Sequence, residues 1–211
     1  MQVTTQTAID DTRVWLERAV IGLNLCPFAK SVHVKGQIHY VVSRAQTAQE
    51  LLKDLVFELK ELLTTAASVR DTTLLIAPDC LADFLDFNDF LAEADQALQD
   101  LELEGILQIA NLHPNYQFAG TQADDITNYT NRAPYPTLHL LREESIDRAV
   151  DAFPEAETIF ERNIETMERL GAAGWAALGV GPSPACPHDS SAGETPGLKC
   201  AAEKNHENKD N

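Results

Sequence analysis

At 211 residues the chain is long enough for one globular domain with a sizeable core. Acidic residues outnumber basic ones 33 to 16, for a formal net charge of −17. That charge repels phosphate backbones and anionic lipid, which excludes nucleic acid and membrane surfaces as expected partners while leaving a small anionic metabolite open. The most apolar windows, such as Leu74–Ala77, are strand-length and well short of the roughly 20 residues that span a bilayer. The N-terminus lacks the basic start and apolar run of an export signal, and Cys26, Cys80, Cys186 and Cys200 are widely spaced. Reduced thiols and a cytoplasmic location are therefore expected.

Taken in chain order, residues 1–10 read as a flexible arm. A first helix is predicted from Asp11 to Leu23, ended by Asn24-Leu-Cys-Pro27, because Pro27 restricts Cys26 to extended geometry. Gln37–Ser43 is rich in β-branched and aromatic residues and reads as a strand. Thr47-Ala-Gln-Glu50 is a capping box opening a helix whose Leu51, Leu52, Leu55, Val56, Leu59, Leu62 and Leu63 form one stripe. A buried strand at Thr72–Ala77 stops at Pro78, and Phe87, Phe90, Leu91, Ala94, Leu98 and Leu101 repeat at helical spacing. Gly105 separates that helix from a third strand, Ile106–Leu112, and a fourth is predicted at Thr137–Leu141. Pro154 suits the start of a last helix carrying Ile159 through Leu178, and residues 180–211 have the composition of a disordered tail.

The order β-α-β-α-β predicts a single α/β (or α+β) domain over residues 11–179. Its three- to four-stranded, mostly parallel sheet would be flanked by helices, with the fourth strand antiparallel to the third. A ferredoxin-like pairing is the competing arrangement.

The connection from Leu112 to Pro136 is about two dozen residues long, a length uncommon in compact domains unless functional or disordered. Rigid residues (Tyr116, Phe118, Tyr129, Tyr135 and three prolines) argue for a fixed shape. A short helix is expected around Asp124–Thr130, and the ligand rim of an open α/β sheet lies beyond the carboxyl ends of its strands. Arg44, Asp79, Cys80 and His113 follow the first three strands there, and Thr137 and His139 begin the fourth.

His113 and His139 are the candidate acid–base groups and Asp125 the group that orients or accepts the proton. Arg132, Asn128, Asn131 and Arg142 are the candidate substrate-binding residues, since guanidinium grips carboxylate or phosphate bidentately. The competing reading makes His113 a strand cap, His139 a hydrogen-bonded sheet residue and the arginines structural ion pairs with Asp124, Asp125 or Glu143. No short two-histidine spacing supports a metal site, and no Gly-rich phosphate loop, nucleophile elbow or His-Glu-x-x-His motif is present, so no cofactor is specified. Cys26 lacks the second cysteine and helix N-terminus of a redox site and reads as a buried, chain-turning residue. Arg162-Asn163 reads as a polar pair supporting the long loop. Cys186, His188, Cys200 and His206 form no regular ligand spacing.

Five strings carry a resemblance. They are Leu23-Asn-Leu-Cys-Pro-Phe-Ala29, Val34-Lys-Gly-Gln37, His113-Pro-Asn-Tyr-Gln-Phe118, Asn128-Tyr-Thr-Asn-Arg-Ala-Pro-Tyr-Pro-Thr-Leu-His-Leu-Leu-Arg-Glu143 and Glu161-Arg-Asn-Ile164. Together they resemble a bacterial family catalogued as domain of unknown function 1415, across roughly residues 12 to 178. The resemblance implies no reaction, cofactor or catalytic residue. The expected function is that of an enzyme acting on a small polar or anionic metabolite at a cleft formed by the 113–142 segment. The alternatives are a ligand-binding or regulatory protein without turnover and a metal-dependent redox or hydrolytic enzyme.

Overall fold

The structure is a computed structural model that describes residues 2–153 and 155–183. The predicted tail from residue 184 onward, with Cys186, His188, Cys200 and His206, lies outside the described residues, as does Pro154.

Helix α1 (Thr5–Trp15) continues into a π-helical stretch, Leu16–Ile21. Then follow α2 (Ala29–Val34), β1 (Ile38–Val42), α3 (Ala48–Thr64), β2 (Thr72–Ile76), α4 (Phe84–Asp100) and β3 (Leu107–Leu112). A 3₁₀ helix (Ile126–Asn131) precedes β4 (Thr137–Arg142), α5 (Glu143–Asp151) and α6 (Ile159–Ala177). The sheet order is β1-β2-β4-β3, with β1 and β2 parallel and β4 antiparallel to both its neighbours. Three strands thus run one way and one runs against them. The crossover β1–α3–β2 joins adjacent strands, whereas β2–α4–β3 is split by β4. Only that second half has the split pairing on which the ferredoxin-like alternative depends.

Local chemistry sets the helix starts. Thr47 accepts the amide of Glu50 at 3.2 Å, and the Glu50 carboxylate accepts the amide of Gln46 at 2.9 Å, so the capping box forms and holds the Glu50 carboxyl below its ordinary value. Asp83 caps α4 through the amides of Leu85 and Asp86. The leucine stripe of α3 and Phe87, Phe90, Ala94 and Leu98 of α4 bury against Leu75, Leu107, Leu138 and Leu140 of the sheet. The opposite face, with Ile38, Tyr40, Leu74, Ile76 and Leu112, is covered by Ala8, Trp15, Leu16, Ala19 and Val20. Among the described residues, no helix is long and apolar enough to cross a membrane.

Four sequence expectations need correction. Of the segment read as a flexible arm, residues 4–10 are held: Thr4 caps α1 and Ala8 is fully buried against the sheet. The segment 180–183 is also held, because Ser183 donates its amide (2.9 Å) and hydroxyl (2.6 Å) to the Asp11 carboxylate. Helices α2 and α5 fall in segments to which the sequence pattern assigns no element. The last helix is broken at Gly171, whose φ of 63° and ψ of 175° suit only glycine.

Candidate functional site

The long connection folds around its own polar groups. Asn128 is fully buried, accepts from the Phe118 amide (2.9 Å) and Thr121 hydroxyl (2.8 Å), and donates to the Gln122 carbonyl (2.8 Å). Asp125 caps the 3₁₀ helix through the amide and hydroxyl of Thr127, which holds its carboxyl below the ordinary value. Asn131 contributes its backbone carbonyl to the His113 amide. Arg132 forms none of the anticipated ion pairs; it donates to the carbonyls of Tyr116 (3.1 Å) and Ala123 (2.6 Å) and lies 4.2 Å over the Tyr129 ring. A guanidinium is the one side chain that spans two loop carbonyls and stacks at the same time. Arg132→Ala should therefore lower the unfolding free energy by about 2 kcal/mol, through lost charge-assisted hydrogen bonds and stacking. Chemical denaturation checks this, and a change below about 0.5 kcal/mol would refute the tie.

His113 and His139 do not converge on a common substrate position. His113 is fully buried between the Phe84 and Phe87 rings. Its Nδ1 accepts the Asn115 amide at 3.0 Å, so Nε2 carries the proton and donates to the Leu81 carbonyl at 3.1 Å. Both ring nitrogens are spent, and burial pushes the imidazole pKa down. His139 lies on the opposite sheet face, in register with Leu74 and Ala110. The Thr72 hydroxyl gives its one proton to the Leu140 carbonyl, so His139 Nε2 must donate to Thr72 Oγ1, at 2.7 Å. Arg142 sits at the far end of β4 and donates to the carbonyls of Leu62, Thr65 and Arg70, closing the C-terminus of α3.

The expected rim is also occupied by protein. Arg44 and Asp79 meet there as a 3.0 Å ion pair, but Arg44 also donates to the Val3 carbonyl and Thr5 hydroxyl. The N-terminal segment therefore closes over the carboxyl ends. Because α3 and α4 lie on one face and the strand order does not reverse between them, no switch-point crevice opens. Cys80 is buried nearby with its thiol pKa raised by burial. Among the described residues, no group of three or more His, Cys, Asp or Glu side chains is placed to hold a metal ion.

A polar cleft of about 350 Å³ lies elsewhere, between the 23–27 turn and α6. The turn supplies Leu23, Asn24 and Pro27 as one wall; α6 supplies Ile159, Arg162, Asn163, Glu165, Thr166 and Arg169, with Phe153 shortly before it. Two backbone outliers build the first wall. The π-helical stretch ends at Gly22, where an added Cβ would lie 2.3 Å from the Arg18 carbonyl oxygen, and Asn24 has a φ of 55°. π-Helical turns and left-handed non-glycine residues are costly and concentrate at binding sites. Asn163 Nδ2 donates to the Leu25 carbonyl at 2.9 Å and pins this turn to α6. Its partner is thus the 23–27 turn and not the long loop. The neighbouring Cys26 is partly buried, and its thiol pKa is raised by that burial.

Arg162 pairs with Glu155. Arg169 has no carboxylate partner among the described residues and makes only a long 3.4 Å contact with Thr166 Oγ1. Arg169 is exposed and lines the cleft, and unlike Arg18, Arg132 and Arg142 it donates to no backbone carbonyl among the described residues. A second, apolar cavity of about 520 Å³ between α3 and α4 has Leu52, Val56, Ala97 and Leu101 on its walls and lacks such converging donors. Sequence reasoning reached Arg162 and Asn163 but missed Thr166 and Arg169. Their signal was the three- and four-residue spacing that places 162, 166 and 169 on one helical face.

Two of the five strings that carry the family resemblance, Leu23–Ala29 and Glu161–Ile164, meet across this cleft. No curated protein and no solved structure matches the chain. A family model described as protein of unknown function (DUF1415) matches residues 7–177, and the chain belongs to that family.

Proposed function

We propose that the protein binds a small carboxylate- or phosphate-bearing metabolite in the cleft between the 23–27 turn and α6. The observation that carries this reading is Arg169, a guanidinium in a concave polar site with no carboxylate partner among the described residues. Thr166 and Asn163 add neutral donors beside it, while Leu23, Pro27, Phe153 and Ile159 offer an apolar wall for the body of the ligand. A guanidinium beside neutral donors and apolar side chains suits recognition of a charged ligand. The reading therefore moves the site away from the 113–142 segment and favours binding without turnover.

Amide chemical shifts give the test. In a titration with 4-methylpentanoate, benzoate, inorganic phosphate and L-leucine, at least one of these should move the amides of Asn24, Asn163 and Thr166. Arg169→Gln should weaken that ligand about tenfold or more, the worth of one charge-assisted contact, with the melting temperature unchanged. No perturbation by any of the four, or equal affinity in the variant, would overturn the assignment.

A further inference from the structure

The same cleft holds a second charge that a plain anion site does not need. Glu165 and Arg169 are one helical turn apart in the order that favours an i,i+4 ion pair, yet they form none. Both line the cleft. The six ion pairs among the described residues include neither of them. A helix that presents an exposed carboxylate and an exposed guanidinium to one cavity, each without a charged partner among the described residues, is matched by a ligand carrying both opposite charges.

Resting on the proposed anion site, we infer that the ligand is a zwitterionic α-amino acid or a close relative. Its carboxylate pairs with Arg169 and Thr166, and its ammonium with Glu165. Its side chain lies against Leu23, Pro27, Phe153 and Ile159. The 350 Å³ cleft is at the small end of ligand sites, which suits a ligand of this size rather than a nucleotide or cofactor. Arg162 stays with Glu155, so the site offers one available cation and one available anion rather than a double positive charge. For a bare carboxylate, Glu165 is a repulsive neighbour; for the amino acid it is an attractive one. The cleft thereby discriminates between them by sign.

The test compares L-leucine with 4-methylpentanoate, which lacks the ammonium, and 3-methylbutylamine, which lacks the carboxylate, by calorimetry on the full chain. L-leucine should bind about tenfold or more tightly than either. Glu165→Gln should weaken L-leucine and strengthen 4-methylpentanoate, and a loss of folding cannot produce changes of opposite sign. If 4-methylpentanoate binds the unaltered protein as tightly as L-leucine, or both shift the same way in Glu165→Gln, the zwitterion assignment fails and the anion site stands. If L-leucine, 4-methylpentanoate, benzoate and phosphate all fail to bind, both readings fail.

Discussion

Replacing Glu58 with alanine should lower the unfolding free energy by about 3–5 kcal/mol, the usual cost of stranding one half of a buried ion pair. Glu58 on α3 and Arg70 just before β2 form such a pair, with side chains only 8% and 9% exposed. Arg70 Nε also donates to Thr73 Oγ1 at 2.8 Å, and the Arg70 backbone carbonyl accepts from Arg142. Glu58 is the carboxylate paired with Arg70, and the nearby Arg142 has its pKa lowered chiefly by burial, with Asp71 opposing and Arg70 adding to that shift. Removing Glu58 leaves Arg70 charged and buried, because guanidinium cannot discharge by giving up its proton. The double variant Glu58→Leu/Arg70→Met should recover most of the loss, since the pair as a whole is worth little more than well-packed apolar side chains. Urea denaturation of the three chains measures this. A Glu58→Ala loss below about 1 kcal/mol would show that water reaches Arg70 and that the pair is not a keystone of the α3 face.

Much of the fold was legible because it rests on periodicity. The leucine stripe of α3, the phenylalanine–leucine stripe of α4 and the β-branched strands are local patterns, and their burial follows from them. The fourth strand was placed antiparallel to the third for want of a crossover helix, and it is. Its insertion between β2 and β3 was not legible, since strand order depends on which faces meet in three dimensions. Helix α2 is only six residues long, with Gly36 at positive φ just beyond its end, and α5 begins at Glu143, directly after the last residue of β4, leaving no loop to announce it. The N-terminal arm was misjudged because Thr4–Asp10 carries few apolar residues. Its anchors are the Thr4 cap, buried Ala8 and the Arg44 bonds to Val3 and Thr5, none of which alters hydropathy.

The candidate site shows a different failure. The long loop was read correctly as rigid and polar, but the same residues that look like ligand donors are what a rigid loop needs internally. Asn128 satisfies three backbone or hydroxyl groups, and Arg132 satisfies two carbonyls. Where a loop's backbone is shielded from water its groups must find partners within the protein, so concentrated asparagine and arginine are as diagnostic of self-support as of binding. The α6 residues escaped notice for the converse reason. Arg162, Thr166 and Arg169 look like an ordinary solvated helix face until the 23–27 turn is folded opposite them.

The largest pH effect should come from His139. Burial holds its pKa at about 4, against an ordinary imidazole value of 6.5. Between those two values the unfolded chain binds a proton that the folded chain refuses, so its contribution to stability is complete above pH 6.5 and is lost as pH falls towards 4. At about 1.4 kcal/mol per pH unit, the ceiling is about 3 kcal/mol. His113 and His39 have their pKa values lowered in the same direction, chiefly by burial, and add to the slope. Asp125 and Glu50, whose carboxyl pKa values are held down by hydrogen bonds, contribute at the acid end of this window and below it. Acidification also relieves repulsion within a chain of charge −17, which opposes the histidine term, so the informative quantity is a difference. His139→Gln keeps a donor for Thr72 and cannot titrate. Urea midpoints from pH 7.5 to pH 4 should fall less steeply in that variant than in the unaltered protein. Parallel curves would mean that the ring takes up its proton without penalty, and that solvent reaches Nδ1 freely on the α1 face of the sheet.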